Sequence, residues 1–547
     1  MKAGLLGAVV VIVSGSVAHA QWAGDPNVNF SVADGASDQA QPKIAAAPDG
    51  GCYISWFDGI ANGYDPRLQR LDGAGVEQWA HNGIRLQDTT NSSTVDYDLM
   101  IDAAGNALVT FKDNSSGTNQ ITATKVSPAG VELWGAGGVT VSSGATDKNN
   151  PHITELSDGS IMVGWSESPG FKMQRLDAAG APVGASTTIS ESGRTVSLCD
   201  LQAGDSGTVI AMWIRPFTTS FLSSKYLYTQ KYDASFAALW PVTPGSAAVV
   251  VYGPAPGSPW PTGVGTYGTQ GGSVQNGYFP GFLPDGNGGG VYGWYENAGP
   301  RNAYVQHVLA DGTLKFAANG ITNALTATSR IRISGGLAYD RGTGEYFLSS
   351  VECDASPQTN YRTFVQKYTS AGALAWGDTG VEIVPVNGNQ QSFVQTVSTG
   401  GGACMVFGFD SRPPTSHVLF GGGVSDEGSL LWTNEPSPTV ESKSRLFSAW
   451  STGGFAVLAF GGNRAGDQDI YVQNVNIDGT FGPVAPPCDP DVNCDGAVNG
   501  FDIQATEEAV NGDFANFCQS SADLNGDGSE NGFDIETEEQ RVNGAPC

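Results

Sequence analysis

A unit of roughly fifty residues recurs through most of this chain, and a repeat of that length restricts folding more than any single motif in it. One copy, from Ile44 to Gly83, reads IAAAPDGGCYISWFDGIANGYDPRLQRLDGAGVEQWAHNG; others surround Ile153 and Phe282. Each copy holds an apolar strand, an Asp-Gly-type turn, and a second strand ending in an aromatic residue and an acid. A third strand then carries Gln, a basic residue, an apolar residue and Asp, followed by an Asp-x-x-Gly turn and a Trp that opens a fourth strand. The third-strand marker recurs at Gln69-Arg70, Thr124-Lys125, Gln174-Arg175, Gln230-Lys231, Gln306-His307, Gln366-Lys367 and Gln473-Asn474. A degenerate copy near Gly422 brings the units to eight, most of them 50 to 60 residues apart.

Four short strands per repeat, with 75 glycines and only 15% charged residues, predict an all-β chain arranged as a β-propeller, in which radial stacking protects the sheet edges. The count is eight blades, or seven with one unit misread. The last unit stops after its third strand, at Asn474 to Gly479, and the missing fourth strand has its match near the N-terminus, in QWAGDPNVNFSV. Trp22 to Val32 is therefore expected to complete the last blade, because an open ring would expose two unpaired edges. The expected propeller spans residues 21–484. Its repeat resembles those of propellers common in secreted bacterial proteins of undefined activity, a resemblance that implies a fold and no chemistry. One interval is longer, 76 residues from Gln230 to Gln306. It contains the Gly- and Pro-rich stretch Pro241 to Tyr278, with Tyr252, Trp260, Tyr267 and Tyr278. The start of that stretch, Ala247 to Tyr252, is expected to supply a fourth strand. The aromatics either pack on the ring or stack on sugars.

Residues 485–547 follow another rule. Asp491, Asn493, Asp495, Asn499 and Asp502 fall at positions 1, 3, 5, 9 and 12 of a loop with Gly496 at 6, and Ala497 offers a carbonyl at 7. Thirty-two residues on, Asp523, Asn525, Asp527, Asn531 and Asp534 repeat the spacing around Gly528, with Ser529 at 7. That spacing gathers the oxygens a hard cation needs from one short loop, and predicts two calcium ions. Each loop leads into an acid-rich helical stretch, Ile503 to Val510 and Ile535 to Val542, closed by Asn-Gly. A duplicated loop-helix unit of this kind resembles the type I dockerin, the calcium-dependent module that plugs into cohesins in cellulose-degrading complexes. The resemblance implies a cohesin-like or other cell-surface scaffold partner. One departure bears on that partner. Cellulosomal dockerins commonly carry a Ser-Thr-like pair at loop positions 10 and 11, where this chain has Gly500-Phe501 and Gly532-Phe533. Phe501 and Phe533 are expected to pack the small core between the two halves.

The first twenty residues, with Lys2, an apolar run from Leu5 to Val13 and Ala18-His19-Ala20, read as a secretory signal too short to remain as a membrane span. The mature chain is expected outside the cytoplasm, with no transmembrane segment. A net charge of −28 excludes a nucleic-acid partner, which needs clustered Lys and Arg. From Cys488 onward 14 acids face one Arg, so folding of the tail is expected to be coupled to cation binding. Cys488, Cys494, Cys518 and Cys547 predict two bridges of undetermined pairing. Cys52, Cys199, Cys353 and Cys404 read as buried thiols.

Catalytic motifs are missing: there is no H-E-x-x-H, no G-x-S-x-G and no Cys/His cluster at zinc spacing. Six second strands end in an acid, Asp58, Asp113, Glu167, Glu296, Glu352 and Asp410. Two of these could serve as acid and base in glycoside hydrolysis, but a feature repeated in six blades reads first as part of the repeat. The sequence names no catalytic residue and leaves open whether the chain is an enzyme. It predicts a secreted, non-catalytic propeller with a carbohydrate as one candidate ligand, attached through its tail and linked to extracellular polysaccharide breakdown. The alternative is a polysaccharide-active enzyme of glycoside hydrolase type with the propeller as catalytic domain.

Overall fold

The structure, a computed structural model, describes residues 22–60, 63–92, 96–191, 193–216, 223–241, 248–253, 273–274, 280–297, 301–412, 415–464, 466–483, 490–519, 521–525 and 529–545. The chain divides into two compact units between Gly482 and Pro483.

The first unit is an eight-bladed β-propeller. Its eight sheets each take their strands from one repeat, except the last. The first blade is typical: Gln39–Ala46, Cys52–Ile60, Gly63–Leu71 and Ile84–Arg85 pair antiparallel in that order. The seventh, built from the degenerate repeat, is as regular as the others, with Ser416–Val424 as its third strand. The fifth has three strands, with isolated bridges from Val305 to Ile321 and from Val308 to Leu314 at its outer edge. First strands of neighbouring blades contact one another all the way round, so they line the axis. In the last blade, Lys443–Trp450, Phe455–Gly462 and Asp469–Asn476 take their fourth strand from Phe30–Ala33, which pairs with Asp469–Asn476 from Phe30 opposite Val472 to Ala33 opposite Ile470.

Side-chain contacts explain the conserved spacing within each repeat. The third-strand Gln reaches across to the start of the fourth strand: Gln69 Nε2 donates to the Ala80 carbonyl at 3.0 Å, Gln306 to Ala317 at 2.8 Å and Gln366 to Gly377 at 2.7 Å. In the last blade Gln473 makes this bond to Ala23 at 2.8 Å, across the joint between the two ends of the chain. The basic residue of the third-strand marker pairs with the acid of the first turn, as in Lys125–Asp102 at 2.6 Å, His307–Asp285 at 3.0 Å, Arg70–Asp49 and Arg175–Asp158. The Trp joins blades. Trp79, Trp134, Trp240, Trp376 and Trp432 each donate their indole N–H to a carbonyl in the third turn of the following blade, at 2.9–3.1 Å. Trp22 does the same from the last blade to Gly73 of the first, at 2.9 Å.

The turn glycine follows from that stacking. Gly75 has φ +82°, and a Cβ there would lie 2.6 Å from the Trp22 ring; at Gly428 it would lie 2.5 Å from Trp376. The third blade has no such Trp, and the matching turn of the fourth blade holds Phe236 at φ 64° instead of glycine. Where no ring presses on the turn, a side chain is admitted.

The second unit is small and helical. Helices Gly500–Val510 and Gly532–Val542 pack on each other, and Val492, Ala505, Ala509, Phe517, Ala522 and Leu524 fill the space around them. Cys494 and Cys518 form a disulfide; Cys488 and Cys547 lie outside the described residues. The other four thiols, Cys52, Cys199, Cys353 and Cys404, are buried and free.

Candidate functional site

Each tail helix begins earlier than its apolar pattern suggests, because an Asn captures its first turn. Asn499 accepts the amide of Phe501 at 2.9 Å, while the Asp502 carboxylate, three residues into the helix, takes the amide of Asn499 at 2.8 Å. Asn531 and Asp534 repeat this reciprocal cap, at 2.9 and 2.7 Å. The helices therefore start at Gly500 and Gly532, inside the loops. Position 12 of the loop spacing is thus also a capping residue of the helix that follows.

The first loop is wound tightly. The Asp495 amide donates to Asn493 Oδ1 at 2.9 Å and to Asp491 Oδ1 at 3.1 Å, and the Gly496 amide, at φ +86°, donates to Asp491 Oδ2 at 2.9 Å. Asp502 Oδ1 accepts the Asn493 amide at 3.2 Å, which ties position 12 back to position 3; Asp534 and Asn525 are joined in the same way at 3.1 Å. Asp502 and Asp534 are fully buried, and among the described residues no basic side chain pairs with either. Buried carboxylates held by amides alone suit a cation inside the loop. In the second loop Asp523, Asn525, Ser529, Asn531 and Asp534 are described, while Asp527 and the glycines beside it are not. No helix of the described residues is long and apolar enough to cross a membrane.

Phe501 and Phe533 do not pack between the halves: both are 66% exposed. As second residues of their helices they project from the first turn, away from the helix–helix seam, which the smaller side chains and Phe517 already fill.

The six second-strand acids are all engaged within the propeller. Asp58 pairs with Arg67 at 2.6 Å, and Asp113 accepts from Thr122 and Gln87 at 3.1 Å each. Glu167 takes the Trp165 indole at 2.9 Å and Lys172 at 3.1 Å. Burial acts to raise its pKa, but these two donors hold it below the usual range. Glu296 accepts the hydroxyls of Tyr252 and Tyr304 at 2.7 and 2.6 Å, and Tyr252 is pushed well up by burial and by that carboxylate. Glu352 sits between Arg330 at 2.8 Å and Arg332 at 3.4 Å, and Asp410 pairs with Arg412 and Gln391. Different partners, cationic in some blades and uncharged donors in others, perform one task, hydrogen bonding to an acid at a strand end. Tyr252 belongs to the strand Val249–Tyr252, which closes the fourth blade; Trp260, Tyr267 and Tyr278 lie outside the described residues.

Residues 489–543 match the family model of the dockerin type I domain. Domains of that type typically bind calcium and dock onto cohesins. No curated protein matches the chain. Among solved structures, a puromycin hydrolase is similar at 12% identity and a TM-score of 0.41, over 82% of this chain and 62% of that one. A polysaccharide lyase, an ulvan lyase, is similar at 9% identity and 0.39, over 81% and 96%. A protein of unknown function from Dyadobacter fermentans is similar at 9% and 0.34, over 72% and 95%. The chain spans 58% and 62% of the length of two puromycin hydrolase structures.

Proposed function

We propose that this chain is a secreted, non-catalytic propeller that presents a binding surface and is attached to a cohesin-like scaffold by its calcium-loaded tail. The observation that carries the reading is the pair of loops in residues 489–543, each ending in a buried Asp that caps the following helix. Asp491, Asn493, Asp495, Asn499, Asp502 and the Ala497 carbonyl would hold one ion. Asp523, Asn525, Asp527, Asn531, Asp534 and the Ser529 carbonyl would hold the second. Two divalent ions offset four of the six carboxylate charges at the ligand positions of the loops and fix both helix N-termini, so docking becomes calcium-dependent.

The exposed Phe501 and Phe533 stand at loop position 11, beside the glycines at position 10. A partner surface with apolar hollows suits them better than one built for hydroxyl groups. The engaged state of the six repeated acids supports a binding role for the propeller, because a catalytic pair needs two unlike and accessible carboxyl groups.

Calcium titration of the chelator-treated full chain by calorimetry tests the reading. Two ions are expected, falling to one when Asp491 and Asp495 are both replaced by Ala, because each loop holds its own ligands. Absence of uptake at millimolar calcium would remove the attachment function.

A further inference from the structure

The innermost strands carry a ring of equivalent positions around the propeller axis. In the first, third and fourth blades pairing is interrupted by a bulge and resumes at Lys43, His152 and Asp200. In the second blade the first paired residue is Asp98. The matching residues across the axis are Gly281, Gly336, Gln395 and Phe447. One arc of the ring is thus charged and the facing arc is uncharged. Bulges re-aim side chains, and here three blades bring metal-ligating groups together.

The Asp98, His152 and Asp200 donor atoms all lie within 4.8 Å of one another. His152 is 8% exposed. Its Nδ1 stands 3.6 Å from Asp98 Oδ2 and 3.5 Å from Asp200 Oδ1. Both distances exceed the roughly 2.8 Å of a charge-assisted N–H···O bond. They are close to the ~3.4 Å edge of a tetrahedron whose corners lie ~2.1 Å from a cation. Outer groups fix the carboxylates: the Ile153 amide donates to Asp98 Oδ2 at 3.1 Å, the Leu201 amide to Asp200 Oδ1 at 2.7 Å, and Gln202 to Asp200 Oδ2 at 3.1 Å. Lys43 lies 3.3 Å from Asp96 and 3.9 Å from Asp98 Oδ1, the oxygen turned away from His152. With the imidazole neutral, three carboxylates against one ammonium leave a charge of −2, which one divalent cation balances.

We propose that Asp98, His152 and Asp200 bind a first-row divalent cation of the zinc type in the propeller channel. One imidazole nitrogen with two carboxylate oxygens suits such a metal, whereas calcium and magnesium take oxygen alone. The site is therefore distinct in chemistry from the loops of the tail, and it stands whether or not the attachment reading does. Three protein ligands leave a fourth position for water. The cation would clasp the second, third and fourth blades at their inner edge.

The test uses the full chain, stripped with chelator and then saturated with calcium so that the tail is filled. Cobalt(II) and zinc(II) are titrated in, reading the visible ligand-field bands of cobalt and the zinc stoichiometry. One cobalt or zinc ion per chain is expected, with binding at least about tenfold weaker in His152→Gln and in Asp200→Asn and unchanged in Asp491→Ala. Should His152→Gln fail to fold, the near-isosteric Asp200→Asn decides. A wild-type chain that takes up neither metal at millimolar concentration would overturn the proposal. So would uptake that survives both channel substitutions, or uptake lost only with Asp491→Ala.

Discussion

Replacing Trp22 by Ala tests whether the ring is held shut by the same contact that joins its other blades. Trp22 is 3% exposed, meets Phe455 edge-on at 5.7 Å between ring centres, and donates its indole N–H to Gly73 at 2.9 Å. Its backbone amide adds a bond to Ala74 at 3.1 Å. Truncating a buried Trp to Ala costs about 3–5 kcal/mol, and the lost indole bond adds about 1 kcal/mol. A loss of about 4–6 kcal/mol is expected. It should appear as a lower urea midpoint and faster unfolding, since a protein of this size is best compared by rate as well as by midpoint. The control is Trp79→Ala, which removes the same contact between the first and second blades. Those blades are joined by continuous chain, whereas Phe30–Ala33 is held in the last blade by contacts alone. Amide exchange at Phe30–Ala33 should accelerate in Trp22→Ala and stay slow in Trp79→Ala. A loss below about 1 kcal/mol, or equal exchange at Phe30–Ala33 in the two variants, would show that the N-terminal strand is not the clasp.

Glu352→Gln should cost about 3–5 kcal/mol in a denaturant titration, because it strips the counter-charge from Arg332, which like Glu352 has a fully buried side chain. Lys443 gives a pH signature: burial, opposed by Glu441 at 2.8 Å, pushes its ammonium group down to about 8. Below that pH both folded and unfolded chains carry the proton, so its contribution is constant. Between about 8 and 10.5 the unfolded chain binds more protons, and stability from this group rises with pH. The melting temperature of the wild type relative to Lys443→Met should therefore climb from pH 8 to 10, and a flat difference would refute it. Gly428→Ala should cost at least about 1–2 kcal/mol from its left-handed backbone alone, with further loss from the Trp376 contact; thermal melting reads the sum.

Much of this was legible because the repeat is a set of contacts written into residue spacing. Gln69 and Ala80, or Trp79 and Gly130, recur at fixed offsets since each blade must reach its own outer strand and the next blade's turn. The seventh blade was harder to read because Gly421, Gly422 and Gly423 replace the Gln-basic marker, while its backbone pairing is unaffected. The loop-then-helix unit was legible because its Asp and Asn spacing recurs thirty-two residues on, within the residues that match the dockerin model. The exposure of Phe501 and Phe533 was not, since an apolar residue at a helix start carries no mark of the direction it faces.

The channel cluster shows a different limit. Asp98, His152 and Asp200 are about fifty residues apart, and each sits alone in its repeat without metal-site spacing. Sequence reading looks for ligands close together on one element, but a propeller brings one residue per blade to a common axis. Residues that depart from the repeat at equivalent positions are the ones to compare. The second-strand acids recur in six blades and serve the blade itself. At the inner ring the charged residues differ from blade to blade, as Lys, Asp, His and Asp, and across the axis stand Gly, Gly, Gln and Phe. Symmetry is sufficient to build the scaffold, so chemistry specific to this chain has to be sought where the symmetry is broken.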